Sequence, residues 1–99
     1  MENQHKLIKG YRDLSKEEIN LMNRIKAKGR ELLELHTELV KTLSHQQAQL
    51  VHDYANGGDG GELDRFTAAE PLRWASIGKT DIQTGISALV RAVAQLEGV

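Results

Sequence analysis

The side chains in this sequence that could do chemistry are few, and their spacing argues mainly against catalysis. Four histidines occur: His5, His36, His45 and His52. No two stand three or four residues apart, the interval that aims a pair of ligands at one metal from a helix. His45 and His52 share a face but lie about two turns apart, so no metal site is expected. Cysteine is absent, which removes disulfide frameworks, cysteine–zinc sites and thiol nucleophiles. Ser44 and His45 are adjacent, yet neighbouring helical residues point in different directions. A nucleophile, a base and an orienting group in register are not legible, and neither an enzymatic activity nor a cofactor is expected. Carboxylates stand among cations, at four-residue spacing in Arg30–Glu34–Glu38 and next in sequence in Lys16–Glu17, the pattern of solvated faces. The run Gly57, Gly58, Gly60, Gly61 follows a helical pattern instead of a strand. No Lys-Ser or Lys-Thr pair closes it, so it reads as a flexible connector and not a phosphate loop.

What remains is binding chemistry. Gly10-Tyr11-Arg12 precedes a cationic ladder of Arg24, Lys26, Lys28 and Arg30. A tyrosine after a glycine, next to cations, can stack on a nucleobase while the cations hold phosphate. The same residues also read as a solvated charged face, with Tyr11 packed on the core. Arg73-Trp74, followed by Lys79-Thr80, is open in the same two ways. Thirteen Lys and Arg stand against fourteen Asp and Glu, for a formal net charge of −1. Proteins that track a DNA or RNA backbone carry a positive excess, so a nucleic-acid polymer is disfavoured. A small phosphorylated ligand needs only two or three well-placed cations.

These residues must be positioned by helices. Residues 1–14 form a polar arm. Ser15 with Glu18 makes a capping box, and Leu14 can staple onto Ile19. The helical period then persists over 15–55 through Ile19, Met22, Ile25, Leu32, Leu35, Leu39, Leu43 and Leu50, with Leu33 and Val40 widening the apolar stripe. Gly29 interrupts it, marking a bend or a close approach of packed backbone. A helix of this length spans roughly 60 Å, too long for a compact monomer. Asn56 and Gly57 close it, and residues 56–70 read as a glycine-rich loop with Phe66 tucked against a helix. Pro71 fits the first turn of a second helix over 71–96. Its seam runs through Ala75, Gly78, Ile82, Gly85 or Ile86, Leu89, Val93 and Leu96, where glycines allow close helix approach. Trp74, Ile77 and Ala88 add a partial second stripe.

The expected fold is therefore all-α, a single helical domain over 1–99, with no strand pattern and no internal repeat. Two helices with wide apolar faces and no third layer cannot cover one another, so a homo-oligomer is expected. No apolar run is long enough to cross a bilayer. The start, MENQHKLIKGYRDL, lacks a signal-peptide core and a Gly at position 2, so cytoplasmic residence and no membrane partner are expected.

Two blocks, GYRDLSKEEINLMNRIKAKG over 10–29 and RWASIGKTDIQTGISALVRAVAQ over 73–95, resemble blocks of the phage-encoded anti-CBASS cyclic-oligonucleotide sponges. They cover slightly under half of the chain. The resemblance implies a compact helical homohexamer that sequesters the cyclic di- and trinucleotides of bacterial CBASS immunity without cleaving them. It implies action in the host bacterial cytoplasm. It casts Tyr11 and Lys26, with Gly10 and Arg12 beside them, as contacts to a cyclic dinucleotide such as cGAMP. Arg73, with Lys79 and Thr80, would serve a separate trinucleotide pocket. A helical adaptor that binds another protein is the alternative reading of the same apolar stripes.

Overall fold

The structure is a computed structural model that describes residues 13–95. Gly10, Tyr11 and Arg12, with most of the expected arm, lie outside the described residues, as does Leu96. Every regular element among the described residues is helical: α1 Lys16–Ala55, α2 Gly61–Ala69 and α3 Pro71–Ala94. The all-α expectation holds.

Local chemistry fixes the helix ends. The Ser15 backbone N–H donates to Glu18 Oε1 at 2.8 Å, and the Glu18 N–H donates to Ser15 Oγ at 3.1 Å. Each side chain satisfies an orphan donor of the other. At the far end Gly57 adopts φ 92°, the left-handed conformation that a glycine takes without steric cost. The Gly58 N–H reaches back to Asp53 O at 2.9 Å and the Gly57 N–H to Tyr54 O at 3.2 Å. These are the two hydrogen bonds of a Schellman cap.

The connector is shorter than the expected loop over 56–70, because residues 61–69 form α2. Asp59 Oδ1 accepts the Gly61 N–H at 3.1 Å, and Glu62 and Asp64 place negative charge in the first turn, where the helix dipole favours it. Phe66, 3% exposed, anchors the element. It ends at Glu70, whose φ is 49°. Pro71 disfavours right-handed helical geometry in the residue before it, which separates α2 from α3.

The described residues pack as two compact units, 13–31 with 82–95, and Leu32–Asp81. In the first, Gly29 is buried against Ile86, with Met22, Ile25, Val90 and Val93 half-buried and Ala94 buried. In the second, Phe66 and Ala75 are buried beside half-buried Leu33, Val40, Leu43 and Leu63. His36 lies on the same inner face, with Nε2 2.8 Å from the Ala75 carbonyl oxygen.

The apolar stripe expected along α1 divides. Leu33, His36, Val40 and Leu43 face inward. Leu32, Leu35 and Leu39 are 45%, 58% and 47% exposed, and Ile19 is exposed as well. At ~100° per residue the outer leucines lie about a quarter turn from the inner set, so one packing helix cannot cover both. The seam expected on α3 is corrected similarly. Leu89 and Gly85 are exposed, and a Cβ placed at Gly78 or Gly85 meets nothing within 4 Å. Among the described residues the glycine that permits close helix approach is Gly29.

Candidate functional site

The first unit holds an open cleft of about 350 Å³, lined by Met22, Lys26, Ile86, Ser87, Val90, Arg91 and Ala94. Its construction follows from helical spacing. Ile86, Val90 and Ala94 recur every four residues on α3 and form an apolar floor. Met22 and Lys26, also four apart, stand along one side on α1. Ser87 and Arg91 stand along the other on α3. An apolar floor between two cations suits a ligand with flat apolar faces and negative charge.

A second cleft, of about 180 Å³, lies in the other unit between Gln47, Phe66, Thr67, Glu70, Pro71, Leu72 and Arg73. Arg73 Nη1 donates to Glu70 Oε2 at 3.4 Å, and the guanidinium carbon lies 5.2 Å from the Trp74 ring centroid. The cation is thereby held over an aromatic face. Trp74 itself is 59% exposed.

The candidate residues distribute unevenly over these clefts. Lys26 lines the first and Arg73 the second. Lys79 and Thr80 are exposed on α3 and line neither. Thr80 shares the side of α3 that carries Arg73, whereas Lys79 points about a third of a turn away. Thr80 Oγ1 donates to the Ser76 carbonyl at 3.3 Å. Of the rest of the cationic ladder, Lys28 pairs with Glu31 at 3.3 Å. Arg65 hydrogen-bonds Glu62, which raises the guanidinium pKa. Arginine is charged with or without that partner, so the effect there is positional. No cluster of three or more His, Asp or Glu able to hold a metal ion occurs among the described residues. No described helix is long and apolar enough to cross a membrane.

The family model described as Acb2/Tad1, hairpin domain, matches residues 3–94. The chain belongs to the Acb2/Tad1 family. A curated relative, Anti-CBASS protein 2 of Pseudomonas phage JBD67, is 50% identical over 107 aligned residues, covering 99% of this chain and 99% of the relative. The matched span includes both clefts, so a feature of either is a feature of the Acb2/Tad1 hairpin as this chain builds it.

Sequence reasoning missed Ser87 and Arg91 in the first cleft, and Gln47 and Thr67 in the second. Their signal exists but is indirect. Once Gly29 is set opposite Ile86, antiparallel progression brings Lys26 level with Val90, and the neighbouring row on α3 is Ser87 and Arg91.

Proposed function

We propose that this member of the Acb2/Tad1 family is a phage immune-evasion protein that binds and sequesters cyclic oligonucleotide messengers without cleaving them. Its ligands are cyclic dinucleotides such as cGAMP, and cyclic trinucleotides. Sequestration keeps CBASS effectors inactive in the host bacterial cytoplasm. The observation that carries this reading is the 50% identity, over nearly the full length of both chains, to a protein named Anti-CBASS protein 2. The cleft beside Lys26 supports it, because it pairs a cation with an apolar floor of the kind a nucleobase needs.

Assembly belongs to the same proposal. The described residues bury three hydrophobic side chains, Phe66, Ala75 and Ala94, while Leu35, Trp74 and Leu89 are each more than half exposed. These exposed side chains are expected to pack against other copies in a homohexamer. A two-fold axis would bring Tyr11 and Lys26 from each of two chains to one cyclic dinucleotide. A three-fold axis would bring three copies of Arg73 to a cyclic trinucleotide, with Lys79 and Thr80 at its margin. Stacking contributes about 1–3 kcal/mol per base and a charge-assisted hydrogen bond about 1.5–3 kcal/mol. Doubled by symmetry, these reach roughly 5–12 kcal/mol, which spans about 0.2 mM to nanomolar affinity in a preformed pocket, so a sponge needs the upper end.

The exposed Leu35 and Trp74 favour one other reading, an adaptor whose apolar face binds a different protein. Thermal shifts with a panel of cyclic di- and trinucleotides separate the two. The sponge melts higher with its ligands, and the adaptor is indifferent to all of them. Tyr11→Ala and Lys26→Ala should abolish the dinucleotide shift and spare the trinucleotide shift, with Arg73→Ala giving the converse. Equal dinucleotide shifts in Tyr11→Ala and wild type would remove Tyr11 from the site.

A further inference from the structure

The cleft beside Lys26 has two rims, and the reading above uses only one. Lys26 stands on α1. Across the floor of Ile86, Val90 and Ala94, α3 presents Ser87 and Arg91, four residues apart and therefore on one face. We propose that Arg91 is a second phosphate-binding residue for the cyclic dinucleotide, and that Ser87 hydrogen-bonds the same phosphate or its ribose. The proposal rests on the sequestration reading and names the half of the site that it leaves unassigned.

The chemistry of the two rims suits this occupant. A cyclic dinucleotide carries two phosphates joined through a ring, with two bases projecting from it. With one Lys26 from each of two chains, each phosphate faces one lysine as a point charge, and its remaining oxygens still lack a partner in the cleft. Arg91 supplies that partner from the opposite wall, and its planar fork can engage two phosphate oxygens together. The apolar floor between the rims accepts the face of a base or a sugar edge. A volume of about 350 Å³ falls in the roughly 300–1,000 Å³ range of small-molecule sites. Arg91 also stands in the last turn of α3, where a cation complements the helix dipole. A purely dipolar role predicts a change in stability and none in ligand affinity.

The test is calorimetry of the full chain with cGAMP, for wild type, Lys26→Ala, Arg91→Ala, Arg91→Lys, Ser87→Ala and Ser87→Glu. Melting temperature and sedimentation check that each variant folds and assembles as wild type does. Arg91→Ala should weaken binding about tenfold to a hundredfold, and its affinity should fall less steeply with added salt because one charge contact is gone. Arg91→Lys should recover most of the loss, and Ser87→Ala should cost about threefold. Should Arg91→Ala fail to fold, Ser87→Glu carries the test. A carboxylate on that rim repels phosphate, so at least a tenfold loss is expected. Wild-type affinity in Arg91→Ala or in Ser87→Glu, alongside a large loss in Lys26→Ala, overturns this inference and leaves the sequestration reading intact. If wild type binds no cyclic nucleotide at all, both fall.

Discussion

Gly29 lies directly beneath the side chain of Ile86: a Cβ built on the glycine would sit 2.9 Å from Ile86 Cγ1 and 3.1 Å from its Cδ1. The contact sets the register of α1 against α3 in the first unit, and that register places Lys26 beside the apolar floor of the cleft. Glycine inside a helix costs about 1 kcal/mol relative to alanine. Here that cost is offset by a close approach that no larger residue permits.

Gly29→Ala is therefore expected to destabilise in spite of its better helix propensity. Overpacking of roughly 1–3 kcal/mol exceeds the propensity gain, for a net loss of about 1 kcal/mol. Ile86→Ala in the same chain removes the obstructing atoms, so the double variant should be more stable than the sum of the single effects allows. Urea unfolding of the four proteins measures the coupling. Strict additivity would show that the backbone yields at no cost.

Phe66 is the most buried side chain in its unit, at 3% exposure, and it holds α2 in place. Phe66→Ala should cost about 3 kcal/mol, with Phe66→Leu costing distinctly less. Thermal unfolding at one fixed protein concentration reads both, since assembly couples stability to concentration. A loss under about 1 kcal/mol for the alanine variant would mean that α2 contributes little to the unit.

The capping box at the start of α1 is reciprocal: removing the Ser15 hydroxyl releases the Glu18 N–H, and removing the Glu18 carboxylate releases the Ser15 N–H. Ser15→Ala should lower stability by about 1 kcal/mol, and Ser15→Asp should retain most of it. Circular-dichroism melts at matched concentration suffice. Equal melting temperatures for Ser15→Ala and wild type would show that the first turn frays freely.

The outer leucines test assembly. Leu35 is 58% exposed in the single chain, and the proposal buries it against another copy. A charge there must be desolvated on association, so Leu35→Glu should shift the sedimentation profile to smaller species while helical content is kept. An unchanged assembly would place this face in solvent or against a different partner.

The helix ends were legible in the residues because short-range chemistry decides them. Ser15 with Glu18, Gly57 and Pro71 each do locally what their types predict. The helix α2 was not legible. Its nine residues are too few for propensity to carry, and Phe66 stabilises it through burial that sequence spacing alone does not reveal. The breadth of the apolar arc on α1 could be read, but periodicity gives a direction and not a partner. It could not say that Leu33 turns inward while Leu32 turns out, or that the polar His36 would join the inner face by bonding the Ala75 carbonyl. At the site, Lys26 was found through family resemblance. Ser87 and Arg91 depend on the pairing of two helical segments, around Lys26 and around Val90, more than fifty residues apart in the chain, which no local pattern encodes. Tyr11 lies outside the described residues, so its part rests on the solution tests above.

Sequestration itself is tested most directly by equilibrium dialysis of cGAMP against increasing amounts of the purified protein, followed by heat release and chromatography. Free ligand should fall in proportion to added protein, reach a fixed stoichiometric end point that does not change with time, and return intact on heating. Free ligand that stays constant at every protein concentration, or that disappears progressively with substoichiometric protein and returns linearised, would contradict the account.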